Sequence, residues 1–256
     1  MRKIFFIIKS ILLFLLRLIL IYIDGGETCV ICGKKSYYFP VCRKCRTVRF
    51  NMENILDVPR CSSCGRELIS TEKICFPCKN DNFKRHSDSV FALFSYRLWN
   101  KELMFMWKQQ EVRTLSYFFA KIISDFLKQK NMNIIVPVPP RPGKLSEKGW
   151  DQIEDLCLKL EYLFCFKVLR ILKRVSSDQQ KKLNREERLK TIGSSYCIKN
   201  DEEIKFELKK LNYENPKSVC ILDDVSTTGA TLESCASLVK EVLGCEVVGV
   251  TLFIVD

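Results

Sequence analysis

One segment, residues 219–231, restricts the fold more than any other part of this 256-residue chain. It reads Val-Cys-Ile-Leu-Asp-Asp-Val-Ser-Thr-Thr-Gly-Ala-Thr, and the spacing of apolar residues after it predicts a helix over residues 232–243. Four apolar residues in a row are typical of a strand buried in a parallel sheet, and ligands bind beyond the carboxyl ends of such strands. The segment therefore predicts an α/β domain with a ligand site at its strand-to-helix loop.

The residue types in this loop predict the chemistry of the ligand. Small residues let backbone N–H groups approach a phosphate, the hydroxyls of Thr227, Thr228 and Thr231 add donors, and the following helix directs its positive end to the same place. Asp223 and Asp224 would repel a phosphate, but they are suited to accept hydrogen bonds from sugar hydroxyls one ring away. Together these features predict a site for ribose 5-phosphate. A threonine-capped turn is the alternative, and it leaves the two adjacent carboxylates unexplained.

Four Cys-x-x-Cys pairs form the second informative feature. They are Cys29 and Cys32, Cys42 and Cys45, Cys61 and Cys64, and Cys75 and Cys78. Two residues between thiolates let both sulfurs reach one tetrahedral zinc ion, and the near-equal spacings suggest two copies of one unit. A redox motif would have a single reactive pair at a helix start. We therefore interpret residues 29–80 as a double zinc ribbon with two structural zinc ions, and both sequential and interleaved pairing stay open.

Charge and cysteine usage limit the partners and the compartment. The formal net charge of +12 falls to about +8 once two four-thiolate zinc centres are counted, which favours polyanions such as nucleotides, nucleic acid or anionic lipid. Residues 29–80 hold ten Lys and Arg against four Asp and Glu, which suits nucleic acid or offsets the anionic zinc centres. Six further cysteines stand singly among apolar residues, which predicts the reducing cytoplasm.

Residues 4–23 are almost continuously apolar. At about 100° per residue, the polar side chains of this segment fall on roughly one third of a helical wheel, which predicts an amphipathic helix over residues 1–25. These polar residues are Arg2, Lys3, Lys9, Ser10, Arg17 and Asp24. The helix could dock on the protein itself or in an oligomer, contact the inner membrane surface through residues 1–24, or span a membrane with Arg17 near mid-bilayer. A signal peptide is disfavoured because no small-residue cleavage site follows the apolar run.

The remaining chain predicts the main domain over residues 88–256. A polar linker at residues 79–89 contains His86, the only histidine, and this excludes catalysis led by a histidine base. Apolar residues recur at helical spacing through residues 101–129. The predicted strands comprise residues 90–96, 133–138, 219–222 and 246–255. The expected architecture is a three-layer α/β domain with a mainly parallel sheet and helices on both faces.

The loop at residues 223–231 resembles the 5-phosphoribosyl-1-pyrophosphate (PRPP) signature of type I phosphoribosyltransferases. Residues 29–256 resemble the ComF family, in which a zinc ribbon precedes a phosphoribosyltransferase-like domain and which is linked to bacterial competence. Beyond the cysteine pairs, the matching stretches are residues 136–142, 145–152, 172–174 and 180–183, with Arg188 and Tyr196. The chain departs from the family at Lys148 (for Arg), Trp150 (for Phe), Asp151 (for Asn) and Thr191 (for Asn). Lys148 keeps the positive charge of arginine but lacks its planar, two-pronged guanidinium. Asp151 places an anion where a neutral amide is usual, and this weakens the expectation of pyrophosphate binding.

The resemblance implies a role for each matching residue. Asp223 and Asp224 would be the catalytic pair on the ribose hydroxyls. The 5-phosphate would contact Ser226, Thr227, Thr228, Gly229, Ala230 and Thr231. The remaining PRPP-binding cations would be Arg141, Lys144, Lys148, Arg174 and Arg188. Residues 167–190 would form a flap over the substrate or a solvated surface, with Gln180 as a further candidate.

The implied reaction is displacement of pyrophosphate from the ribose C1 by a nitrogen nucleophile, assisted by Mg²⁺. The sequence identifies neither the acceptor nor a general base. The alternative is a non-catalytic binding module of a DNA-uptake or DNA-processing assembly that contacts single-stranded DNA or competence proteins.

Overall fold

The computed structural model of the chain describes residues 27–37, 39–68, 72–80, 85–175, 195–212 and 215–255, together with eight positions between Ile8 and Ile23. Those eight positions are helical, and all except Leu18 are exposed. The basic stripe predicted for the amphipathic helix lies outside the described residues. Among the described residues, no helix combines the length and the apolar character needed to cross a membrane.

The cysteine-rich segment consists of short elements in two similar units. Its elements are β1 (Glu27–Thr28), β2 (Lys35–Ser36), α1 (Arg43–Arg49), α2 (Met52–Leu56) and α3 (Phe76–Lys79). In each unit the second cysteine pair opens a helix, because Cys42 is the N-cap of α1 and Cys75 that of α3. Gly33 and Gly65 both have positive φ, as expected for the turn that follows the first cysteine pair. The sequence repeat therefore corresponds to a structural repeat.

The main domain is built on a five-stranded sheet in which every strand pair is parallel. Its strands are β3 (Ser89–Ser95), β4 (Ile134–Pro137), β5 (Lys167–Val168), β8 (Ser218–Ser226) and β9 (Glu246–Ile254). The order across the sheet is β3-β9-β8-β4-β5. A separate antiparallel pair joins β6 (Leu172–Arg174) to β7 (Tyr196–Ile198). These strands confirm the predicted α/β fold class.

Helices cover both faces of the sheet. They are α4 (Trp99–Lys108), α5 (Thr114–Gln129), α6 (Lys144–Lys148), α7 (Gln152–Leu163), α8 (Asp201–Lys210) and α9 (Ala230–Leu243). The helical pattern of residues 101–129 divides into α4 and α5, and Glu111 between them adopts a positive φ of 54°. No proline or glycine marks this break in the sequence. The division allows the end of α4 to approach the carboxyl edge of the sheet.

The side chains of β8 alternate between the two faces of the sheet, which shows why helices cover both faces. Cys220 and Leu222 belong to one core, which also includes buried residues of α4, α5 and α7. Val219 and Ile221 belong to a second core with residues of α8 and α9. Successive side chains of a strand point to opposite faces, so a fully apolar strand needs a layer on each side. The main domain is therefore a three-layer α/β structure.

The cysteine ribbons pack on the first of these cores. Phe50, at the end of α1, makes edge-to-face contacts with Phe94 of β3 and Phe118 of α5, each with ring centroids 5.0 Å apart. Gly65 lies against the backbone of β3, where a Cβ would approach Ala92 N to 2.6 Å. The half-buried Arg60 also donates to the carbonyl of Leu93 at 3.1 Å. The ribbons and the sheet thus share one hydrophobic core.

Candidate functional site

The candidate site lies at the carboxyl edge of β4 and β8, where the winding of the sheet reverses. From β8 the chain passes through α9 to β9 on one side, whereas from β4 it passes through α7 to β5 on the other. Open α/β sheets bind ligands at such a switch point, in the crevice beyond the strand ends. In the last backbone hydrogen bond between the two strands, Val138 N donates to Leu222 O at 3.0 Å. Asp223 is therefore the first residue of β8 that extends past the end of β4. Both predicted loops start at this crevice.

The two predicted carboxylates differ in their surroundings. Asp224 forms an ion pair with Lys108, the last residue of α4, at 2.7 Å between Nζ and Oδ2. Asp223 accepts a hydrogen bond from the Asp224 N–H at 2.8 Å. Burial and then the neighbouring charge of Asp224 raise the pKa of Asp223 to about 7, although Lys108 acts in the opposite direction. The pair therefore offers one carboxylate that is held by a lysine and one that titrates near neutral pH.

The loop after β8 has the geometry expected of an anion site. Ser226 ends the strand and is buried, whereas Thr227 and Thr228 are exposed. Gly229 has a φ of 80° and precedes α9, a helix of 14 residues whose N-terminus opens at the loop. The Ala230 N–H donates to Thr228 Oγ1 at 3.3 Å. Backbone N–H groups, hydroxyls and a helix N-terminus are therefore close together, as phosphate binding requires.

Tyr196 of β7 and Arg174 of β6 lie beside this loop. The Tyr196 phenol hydrogen-bonds the Thr231 hydroxyl, and burial raises the pKa of the phenol despite that bond and the charge of Arg174. The Arg174 guanidinium lies 5.5 Å from the centre of the Tyr196 ring. The structure thus brings Arg174 to the site from a distant part of the sequence. Arg188 and Gln180, with most of the predicted flap, lie outside the described residues.

Asp151 has two structural partners. Its Oδ1 accepts from Glu154 N at 3.0 Å and caps α7, and its Oδ2 pairs with Lys144 Nζ at 2.5 Å. Lys144 also donates to Gln152 Oε1 at 2.5 Å, and Gln152 Nε2 donates to the Lys108 carbonyl at 3.4 Å. This network neutralises the charge of the Asp151 carboxylate. It also holds the Lys144 cation on a buried carboxylate.

The other cations predicted near the pyrophosphate are at the surface. Arg141 forms a two-pronged ion pair with Glu147, in which Nη1 and Oε1 are 3.1 Å apart. Lys148 ends the five-residue helix α6 and is exposed. Sequence reasoning missed Lys108, because a lysine at the end of an amphipathic helix has no motif of its own. Only the packing of α4 against the end of β8 identifies it.

The eight ribbon cysteines form two groups in which the sulfurs lie within 4.8 Å of one another. One group contains Cys29, Cys32, Cys42 and Cys45, and the other contains Cys61, Cys64, Cys75 and Cys78. The pairing is therefore sequential, and the interleaved alternative is wrong. Two inter-pair sulfur distances, Cys32–Cys42 and Cys64–Cys75, are both 3.7 Å. A tetrahedral ion with Zn–S bonds of about 2.3 Å needs a sulfur separation of about 3.8 Å, so both groups could hold zinc.

One thiol of each group has a lowered pKa, whereas burial raises the pKa of Cys45, Cys64 and Cys75 in the same groups. Burial raises the pKa of Cys29 and Cys61, but hydrogen bonds from backbone N–H groups outweigh it and lower each pKa to about 7. Zinc binds the thiolate, so a lowered thiol pKa favours metal binding near neutral pH. With four sulfur ligands each, the two centres are closed shells suited to a structural role.

Comparison with known proteins adds one relative, and no family model matches the sequence. The chain is 26% identical to the competence protein ComFC of Streptococcus pneumoniae over 181 residues, which is 71% of this chain and 74% of that protein. Together with the two four-cysteine groups, this similarity supports the ComF family. Together with the parallel sheet, it supports a phosphoribosyltransferase-like fold.

Proposed function

We propose that this ComF-family protein binds PRPP at the β8–α9 loop and transfers its phosphoribosyl group to a nitrogen acceptor. The observation that carries the proposal is the position of Asp223 and Asp224 at the switch point, directly before a glycine-hinged loop that opens a long helix. The carboxylates suit ribose hydroxyls and the loop suits the 5-phosphate.

The side chains of the protein would act mainly by holding the ribose and the pyrophosphate in position. The ribose hydroxyls would donate to Asp224 and Asp223, displacing Lys108 from its ion pair with Asp224. The pyrophosphate would lie towards the loop after β4, near Arg141 and Lys144. Asp224 would be the carboxylate available to hold Mg²⁺, and that ion would supply charge neutralisation for the leaving group. The bond from C1 to the pyrophosphate oxygen breaks as the bond from nitrogen to C1 forms, and exclusion of water protects the oxocarbenium-like state.

Calorimetric titration of PRPP and Mg²⁺ into the zinc-loaded protein tests this proposal. We expect saturable binding by the wild type and its loss in the Asp223→Ala/Asp224→Ala variant. Asp125→Ala is the matched control, because Asp125 is a half-buried carboxylate of α5 that pairs with Lys121 one helical turn away. Absence of binding by folded, zinc-loaded wild-type protein would refute the proposal.

A second candidate function is binding of single-stranded DNA by the ribbons. Exposed aromatic rings stand on this basic segment, with Phe76 of α3 77% exposed and Tyr37 52% exposed. Basic surfaces with exposed rings suit single-stranded nucleic acid, because bases stack on the rings while cations follow the backbone. The name of the ComFC relative refers to competence, and we propose the same setting for this chain, with DNA-processing proteins as partners.

Fluorescence anisotropy with a labelled oligothymidylate tests whether the ribbons bind single-stranded DNA. Phe76→Ala should weaken binding by about 5- to 100-fold if the ring stacks on a base, and affinity should fall steeply with salt. Phe206→Ala is the control, because Phe206 is also a strongly exposed ring and lies on α8, whose buried residue Ile204 belongs to the core that contains no ribbon residue. Equal effects of the two substitutions would contradict a site on the ribbons.

A further inference from the structure

Arg85 connects the second cysteine group to the loop of the candidate site. It lies in the segment between α3 and β3, and its Nη2 donates to Cys78 Sγ at 3.7 Å. Its Nη1 faces the loop, since a Cβ added to Gly229 would lie 3.1 Å from that nitrogen. A guanidinium has five N–H donors in a planar fork, so one side chain can serve a thiolate and a phosphate oxygen at once.

The backbone that carries Arg85 is held by the helix that follows the loop. Glu233, in the first turn of α9, is 1% exposed and accepts hydrogen bonds from the N–H groups of His86 at 2.5 Å and Ser87 at 3.0 Å. Asp88 pairs with Lys240 of α9 at 2.6 Å and accepts from Val247 N at 2.8 Å. The position of Arg85 relative to the loop is therefore set by the packing of α9 and β9.

We propose that Arg85 binds the 5-phosphate of the ligand held by residues 226–231, and that the second cysteine group positions its guanidinium. This inference rests on the function proposed above for that loop. A zinc ion with four thiolates has a net charge of about −2 and attracts the guanidinium. Hydrogen bonds from a cation to an anionic oxygen are short and strong. One edge of the guanidinium would therefore donate to a phosphate oxygen while the other edge donates to Cys78 Sγ. The second ribbon is then part of the binding site as well as a support for the fold.

Titration calorimetry with ribose 5-phosphate, using the full zinc-loaded chain, tests the phosphate contact. Arg85→Ala should weaken binding by about 10- to 100-fold, and Arg85→Lys should recover part of the loss because it restores the charge without the fork. Lys79→Ala is the matched control: it removes the same charge from the residue next to Cys78, but Lys79 pairs with Glu72. Zinc content is measured for each variant, and Arg85→Gln replaces Arg85→Ala if the alanine variant retains fewer than two ions.

Three results of this titration would count against the proposal. Failure of the wild type to bind ribose 5-phosphate would overturn both this inference and the function proposed for the loop. Normal affinity in Arg85→Ala, with binding by the wild type, would overturn the role of Arg85 alone. An equal loss in Lys79→Ala would show a general charge effect and would also overturn it.

A spectroscopic measurement tests the link to Cys78. In the cobalt(II)-loaded protein, the thiolate-to-cobalt charge-transfer band responds to hydrogen bonds on the sulfurs. Ribose 5-phosphate should shift this band in the wild type and leave it unchanged in Arg85→Ala. A band that does not respond in the wild type, although ligand binds, would overturn the contribution of the ribbon.

Discussion

At the scale of single residues, two charges of this site are already paired with other side chains of the protein. Asp224 is paired with Lys108 of α4, and the predicted pyrophosphate ligand Lys144 is paired with Asp151. Asp223 is different, because burial and the charge of Asp224 raise its pKa to about 7. Like charges are often close together at functional sites, because these charges are arranged to bind the ligand and not to stabilise the free protein.

The raised pKa of Asp223 predicts how stability depends on pH. The folded-state pKa of about 7 exceeds the ordinary value of 3.8, so the folded protein loses stability as pH rises through this interval, and the loss is complete above pH 7. We expect Asp223→Asn to be more stable than the wild type at pH 8, with the difference becoming smaller towards pH 5.5. Urea unfolding of the zinc-loaded proteins at both pH values measures it. A difference independent of pH would contradict the raised pKa.

At the scale of elements, the helix α9 combines two roles, since its start forms the loop of the site and its body packs on the sheet. Leu232 and Val239 are buried in the second core, whereas Gly229 at its start has a positive φ. The predicted N-terminal helix differs, because all of its described apolar positions except Leu18 are exposed, Leu12 and Ile19 among them. Contact of that helix with a membrane surface stays a prediction.

The two glycines that flank α9 allow a matched comparison. Gly229→Ala should lower the free energy of unfolding by about 1 kcal/mol, because alanine resists a φ of 80°, and should weaken ribose 5-phosphate binding by displacing Arg85. Gly244→Ala meets similar strain at a φ of 58°, but its Cβ would have no atom within 4 Å. We expect it to lose stability and keep affinity. Denaturant unfolding and calorimetry on both variants measure the two effects, and an equal loss of affinity would contradict this assignment.

At the scale of the whole molecule, the cysteine ribbons and the sheet share one hydrophobic core. Val41, Phe50 and Ile55 of the ribbon segment belong to the same buried core as Phe94 of β3 and Phe118 of α5. The guanidinium of Arg60 extends this contact by donating to backbone carbonyls of β3. Disorder in the ribbons would therefore expose apolar surface of the main domain as well.

Removal of zinc should consequently destabilise the entire chain. We expect the chelator-treated protein to unfold at a lower temperature, with loss of near-ultraviolet signal from both the ribbons and the sheet in one transition, because metal binding contributes directly to folding. Differential scanning calorimetry and circular dichroism, before and after chelation, measure it. An unchanged main transition after loss of both ions would show that the ribbons fold independently of the sheet. Re-addition of two equivalents of zinc is the control.

The sequence alone determined those features whose physical cause is local in the chain. The apolar run before Asp223, the small residues of the loop and the spacing of the cysteine pairs each indicate their structure within a few residues, because strand burial, phosphate approach and metal ligation depend on neighbouring side chains. The order of the strands and the sequential pairing of the cysteines were decided by tertiary structure. So were the positions of Lys108, Arg85 and Tyr196 beside the loop. These depend on contacts between segments far apart in the chain, which only the packing of helices and ribbons on one sheet brings together.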